Sequence, residues 1–214
     1  GVRQLTAEVA AADEGLARFY KAKKSGYFSG ARADLVARLP ADTSARILEI
    51  GCGTGATGAL ALARGRAGSY TGVELFESAA AEARSHLSEV IVGDVERLEF
   101  GWQPCAFDAL IMSEVLEHLI EPWTVLKRLR PFVRPGATVL ASSPNISHWR
   151  VIRELAHGRF RLADQGVFDR THLRWFTPES FAAMFEQAGY DVVAIGPVTP
   201  FSAAQPAIAS GSSV

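Results

Sequence analysis

The residues whose types and spacing suggest chemistry begin with Glu49-Ile50-Gly51-Cys52-Gly53-Thr54-Gly55. They close the apolar run Ala45–Ile50 and precede the small-residue stretch Thr57–Arg64, a pattern that predicts strand, glycine turn and helix. Glycines in such a turn let backbone pass close to a ligand and adopt positive φ. The runs Ser69–Glu74 and Val90–Val92 then end on or near acids, Glu74 and Asp94. Glu74, at an open strand end, can accept from both hydroxyls of a ribose and is expected to serve binding rather than folding. Asp94 can accept from an adenine amino group, with Val95 packing on the ring. Gly53, Gly55 and Gly58 also fit the G-x-G-x-x-G spacing of dinucleotide binders. A dinucleotide, however, leaves Glu49 without a use, whereas a nucleoside ligand carrying a cationic amino group benefits from that acid.

A second group of candidates lies further along. Ser113-Glu114-Val115-Leu116-Glu117-His118-Leu119 follows the apolar run Phe107–Met112. Its His118 reads either as a general base or as a histidine that orders its loop; the neighbours Leu116, Leu119 and Ile120 point to packing. Ser143-Pro144-Asn145 with His148, Trp149 and Arg150 follows the run Ala137–Ser142. Asp169-Arg170-Thr171-His172-Leu173-Arg174 comes after an inserted stretch, Ile152–Gly166. Loops beyond the carboxyl ends of strands are where an acceptor would lie. Asn145, His148, Trp149, Asp169 and Arg170 are therefore candidates for substrate contact, and His172 is the favoured base. Salt bridges that pin the insert are the competing reading for Asp169, Arg170 and Arg174. No His/Asp/Glu spacing marks a metal site, which leaves open one assembled from separate loops.

Elements must hold these residues in place. Thr6–Lys24 has one apolar face at helical spacing, and Ala31–Leu39 reads as a short helix stopped by Pro40. Ser78–His86 and Pro122–Arg130 read as helices between the strands. Thr177 caps a helix reaching Ala188, with Pro178 at its first position and Gly189 beyond its end. Asp191–Ile195 reads as a final strand. Strands alternating with helices predict an α/β fold: a three-layer, Rossmann-like sandwich around a mostly parallel twisted sheet. Residues 1–40 would cover the ligand site, residues 41–196 would form the main domain with a cap at about 145–176, and residues 197–214 would form a tail rich in Ala, Ser and Pro.

The formal net charge of −1 over 214 residues gives no general attraction to nucleic acid, and no apolar run has transmembrane length. The expectations are a small-molecule partner, no nucleic acid, no membrane insertion and a cytoplasmic setting; nothing in the chain specifies an oligomeric state. Cys52 and Cys105 suggest neither a disulfide framework nor a metal cluster.

The segments Ile47–Gly55, Tyr70–Leu75, Val92–Glu96 and Phe107–Leu119 resemble, in order and spacing, the four signature segments of class I S-adenosylmethionine-dependent methyltransferases. The resemblance implies S-adenosylmethionine as cofactor and S-adenosylhomocysteine as product. It implies Gly51, Gly53 and Gly55 near the methionine part, Glu74 at the ribose and Asp94 at the adenine. Leu75 and Val95 would sandwich the adenine, and Ser113 and Glu114 would line the methionine side. Ser113–Leu119 is similar to the ubiquinone O-methyltransferase type. Pro144-Asn145 paired with Asp169–Arg174 resembles a bacterial subgroup often found in pathways of cell-surface glycans or glycosylated natural products. Tyr27 and Arg32 match that subgroup in a region that folds over the cofactor. The implied activity is O-methylation of a small polar acceptor, such as a sugar or sugar conjugate, with a histidine base. A quinone or phenol O-methyltransferase, or a non-catalytic cofactor-binding domain of a larger protein, remain alternatives.

Overall fold

The computed structural model describes residues 30–198. Tyr27, the expected helix Thr6–Lys24 and nearly all of the expected tail lie outside them.

Five strands build one sheet: β1 (Arg46–Ile50), β2 (Ser69–Glu74), β3 (Glu89–Val92), β4 (Phe107–Ser113) and β5 (Val133–Ser142). Their order is β3-β2-β1-β4-β5, and every pairing is parallel. Parallel neighbours need crossovers, and helices supply them. The helices are α1 (Ala33–Val36), α2 (Ala56–Ala63), α3 (Glu77–Ala83), α4 (Pro122–Leu129), α5 (Trp149–Ala156) and α6 (Pro178–Gln187).

Period-two alternation along β1 sends side chains to two separate cores. Ile47 faces Leu35, Val36, Ala61, Tyr70, Ala83 and Leu87, the layer under α1, α2 and α3. Leu48 and Ile50 face Leu110, Met112, Val125, Leu126, Leu129, Met184 and Phe185, the layer under α4 and α6. The small residues of α2 are a packing requirement: a Cβ on Gly58 would stand 2.3 Å from Leu87 and 2.6 Å from the Tyr70 ring. Thr177 caps α6 by accepting from the Ser180 N–H, while the Ser180 hydroxyl receives the Thr177 N–H.

Two expectations change, and the cap shows an element that the sequence pattern leaves unassigned. Residues 191–195 join no strand of the described residues, and Val193 is 95% exposed. Strand β5 starts at Val133, ahead of the expected Ala137, because an edge strand tolerates Pro135 and the positive φ of Gly136. The cap contains a helix, α5, of which Trp149 and Ile152 remain half-exposed.

The order β3-β2-β1-β4-β5 reverses direction between β1 and β4. A crevice opens at such a switch point, beyond the carboxyl ends of the strands.

Candidate functional site

A cleft of about 1070 Å³ occupies that crevice. Strand order lays its residues along the sheet edge: Asp94 and Val95 after β3, Glu74 and Leu75 after β2, Gly51 and Gly53 after β1, Ser113 and Glu114 after β4. Glu49, Arg32, Glu117, His118, Asp169 and His172 complete the walls.

The glycine turn has the backbone its residues predict. Gly51 and Gly53 take φ of 73° and 56°, and a Cβ on Gly51 would sit 2.4 Å from the Val115 methyl. The Gly51 and Cys52 N–H groups donate to the Val73 carbonyl at 2.8 and 3.2 Å, tying the turn to β2. Gly55 does not border the cleft: it opens α2 at φ 81° and lies against Ala83 and Leu87. The buried Cys52 thiol packs in the α1–α3 core, where burial pushes its pKa up.

Glu74 corrects the expectation of a residue free of folding duties. It is buried, and its carboxylate accepts from the Gly53 N–H at 2.9 Å and the Phe76 N–H at 3.0 Å. Burial raises its pKa, and the two N–H groups pull it back. We expect Glu74→Gln to weaken S-adenosylhomocysteine binding by about 1–2 kcal/mol, roughly 5- to 30-fold. The ligand-free melting temperature should also fall, because one of the two N–H groups loses its acceptor. Calorimetry and thermal melts check this; an unchanged melting temperature would leave the carboxylate with the ligand role alone.

Glu49 is fully buried beside the turn, and its carboxylate accepts from the Tyr70 hydroxyl at 2.9 Å. Burial and the charge of Glu74 lift its pKa to about 8, while Tyr70 and Arg32 pull it down. Arg32 reaches over from the N-terminal side. Its guanidinium holds Asp34 through two bonds of 2.9 Å and donates to the Ser113 and Ser142 hydroxyls. Glu114 accepts from the Ser142 hydroxyl at 2.7 Å and stands at φ 54°, a left-handed conformation uncommon outside glycine. Asp94 borders the cleft with one oxygen held by the Glu96 N–H at 2.9 Å and the other 3.4 Å from Arg97.

At the β4 side, His118 and His172 lie together rather than as separate alternatives. Their rings are 4.7 Å apart at 66°. His118 Nδ1 is 3.0 Å from the Thr171 carbonyl, and His172 Nδ1 is 3.1 Å from the Val167 carbonyl. His172, expected among polar groups facing a ligand, is the more buried at 7% exposure; His118, expected to be packed, is half-buried. Glu117, which the sequence brought forward only as part of its segment, is 1% exposed, and its Oε1 lies 4.0 Å from His172 Nε2. Burial first, then the nearby Glu114 charge, raise the Glu117 pKa. Its sequence signal is an acid inside the apolar stretch Val115–Ile120.

Asp169 is buried and borders the cleft, with one oxygen taken by the Thr171 N–H and hydroxyl at 2.9 and 2.7 Å. The other four substrate candidates do not line the cleft. The Asn145 side-chain oxygen accepts from Ser147, and His148 caps α5. Trp149 lies outside with the Arg150 and Arg153 guanidinium groups each 5.4 Å from its ring. Arg170 pairs with Asp164 at 3.3 Å, which fits the pinning role.

Comparison with known proteins agrees with this arrangement. The family model described as "Methyltransferase domain" matches residues 23–195. The ubiquinone biosynthesis O-methyltransferase of Neisseria meningitidis is 28% identical over 155 residues, covering 69% of this chain and 64% of that protein. The protein of that name from Aromatoleum aromaticum is 29% identical over 168 residues, covering 75% and 70%. The chain thus spans about two thirds of the length of these curated relatives. A Thermotoga maritima structure, described as an S-adenosylmethionine-dependent methyltransferase and possible histamine N-methyltransferase, superposes with a TM-score of 0.57 at 20% identity over 76% of this chain and 72% of that one. With the parallel sheet, the glycine turn and the acids along its edge, the match over residues 23–195 makes this chain a member of the class I S-adenosylmethionine-dependent methyltransferase family.

Proposed function

We propose that the protein transfers the methyl group of S-adenosylmethionine to a hydroxyl of a small polar molecule, a sugar or sugar conjugate being the favoured class. One observation carries this reading: a single cleft joins the glycine turn with Glu49, Glu74 and Asp94 to the polar cluster Glu117, His118 and His172. Carboxylates at the first part suit a cationic donor. A polar cluster at the second suits an acceptor that must lose a proton.

The donor needs no further activation. Attack on the sulfonium methyl breaks the carbon–sulfur bond, and its electron pair leaves on a neutral thioether. Gly51, Gly53 and Glu49 would surround the donor's amino acid part and Glu74, Leu75, Asp94 and Val95 its nucleoside, which aligns the methyl group and excludes water. A hydroxyl acceptor also surrenders a proton, and a histidine nitrogen serves that purpose near neutral pH. Nδ1 of His172 faces a carbonyl, so its proton resides there and Nε2 presents a lone pair. Asp169 contributes by fixing the backbone that carries both His172 and the carbonyl facing His118.

The curated relatives favour a second reading, O-methylation of a quinone or phenol. We expect micromolar binding of S-adenosylhomocysteine by calorimetry and much weaker binding of NAD. Labelled methyl transfer to a panel of glycosides, sugar nucleotides and catechols separates the acceptors. Turnover of catechols alone would replace the sugar reading with the phenol one. Tight cofactor binding with no turnover across the panel would favour a cofactor-binding module.

A further inference from the structure

Methyl transfer alone leaves one arrangement unexplained. Among the described residues, no group meets either oxygen of the buried Glu117 carboxylate at hydrogen-bond geometry; the nearby Ser143 hydroxyl, itself without such a partner, only eases the cost of its burial. A buried carboxylate is usually paired or bound to a cation, because its desolvation is otherwise uncompensated. Here it faces two imidazoles. One ligand atom from each of Glu117, His118 and His172 lies within 4.8 Å of the others. Each imidazole has Nδ1 against a backbone carbonyl, at 3.0 and 3.1 Å. A carbonyl only accepts, so the proton sits on Nδ1 and Nε2 carries the lone pair, the tautomer in which a histidine binds metal. Asp169 and Thr171, both buried and hydrogen-bonded to each other, hold the carbonyl that orients His118.

We propose that Glu117, His118 and His172 form a binding site for one divalent transition-metal ion, with open coordination positions facing the cleft. Two imidazoles and a carboxylate suit zinc, iron, manganese or cobalt. Ligand bonds of about 2.1 Å set neighbouring ligand atoms roughly 3–3.5 Å apart, so binding draws the three side chains in by about an ångström. The sequence hides the site because His172 stands 54 positions after His118.

The site's catalytic meaning rests on the methyltransferase reading above. An acceptor hydroxyl bound to the ion becomes more acidic and releases its proton to solvent. The resulting oxygen attacks the methyl carbon, forming the carbon–oxygen bond as the carbon–sulfur bond breaks onto sulfur. The ion then replaces a free histidine as the source of the nucleophile, and His172 acts as a ligand.

The test is chelator-stripped protein titrated with Co²⁺ alone, followed by visible absorption and calorimetry. We expect one equivalent bound, with a ligand-field band that grows to that stoichiometry and is displaced by Zn²⁺. Glu117→Gln and His172→Ala should weaken Co²⁺ binding on the order of 100-fold or more. S-adenosylhomocysteine binding by each variant reports that it is folded, and His118→Ala substitutes for a variant that fails that check. Stripped, cofactor-binding protein that takes up no Co²⁺, or variants that bind it as tightly as the parent, would overturn the proposal. Intact Co²⁺ binding with no turnover on any acceptor would count against the methyltransferase reading and in favour of the metal site.

Discussion

His172→Ala is expected to lower kcat by about 10²–10⁴-fold while S-adenosylhomocysteine affinity stays within a factor of about three. The side chain lines the cleft beside Glu117, which follows β4, away from Glu74 after β2 and Asp94 after β3 in strand order. Its loss removes the nitrogen aimed at Glu117, whether that nitrogen takes the proton or holds an ion. His118→Ala should cost nearly as much, a change from the sequence expectation, because the two rings touch and share Glu117. The double variant should then be little worse than either single one, since residues acting as a unit are strongly non-additive. Single-turnover rates on a methylated acceptor, with melting temperatures alongside, measure all three. Near-normal turnover in His172→Ala would remove the cluster from the mechanism, and additive losses would give the histidines separate roles.

The second large effect is on pH dependence. Glu49 titrates at about 8 against an ordinary 4.5, chiefly through burial. The groups facing it are the Tyr70 hydroxyl, the Glu74 carboxylate, the Arg32 guanidinium and the Cys52 thiol. In the ligand-free protein the folded state holds this proton more tightly than the unfolded chain. Its contribution to stability is therefore full below pH 4.5 and is lost as pH rises through about 8. A ligand ammonium reverses the preference, because it pairs with the ionised carboxylate. S-adenosylhomocysteine affinity should thus rise about 50-fold between roughly pH 6 and 8, one proton being released on binding. The ligand-free melting temperature should fall over the same interval. Glu49→Gln should flatten both curves. Calorimetry in buffers of different ionisation enthalpy counts the proton directly, and a wild-type affinity independent of pH would place the ammonium elsewhere.

The sheet-edge part of the candidate site was legible because it is local. Glu49, Gly51, Glu74, Asp94 and Ser113 each sit where an apolar run ends, and a parallel sheet brings all such ends to one edge. The part around Glu117 was less so. Glu117 and His172 meet through the fold of the cap, and no spacing encodes that distance. Asp191–Ile195 shows the opposite failure: its apolar residues satisfy a strand pattern, but a strand also needs a neighbour's backbone, and residues 191–197 pair with none of the described residues. Trp149, Ile152 and Leu155 follow helical spacing, yet a helix is read most surely from the face it buries, and these three stay partly outside.

The Leu173 and Arg174 N–H groups both donate to the Glu117 carbonyl, at 2.8 and 3.0 Å, and the Ile146 N–H donates to the Phe176 carbonyl at 2.9 Å. The stretch bearing one histidine is thereby stitched to the turn bearing the other on one flank and to the loop after β5 on the next. A hinged flap cannot swing out there without unzipping these bonds, so the two rings stay in register while the cleft is empty. On the proposed reading, an acceptor meets backbone already fixed beneath both rings, so that only side chains need to adjust around it.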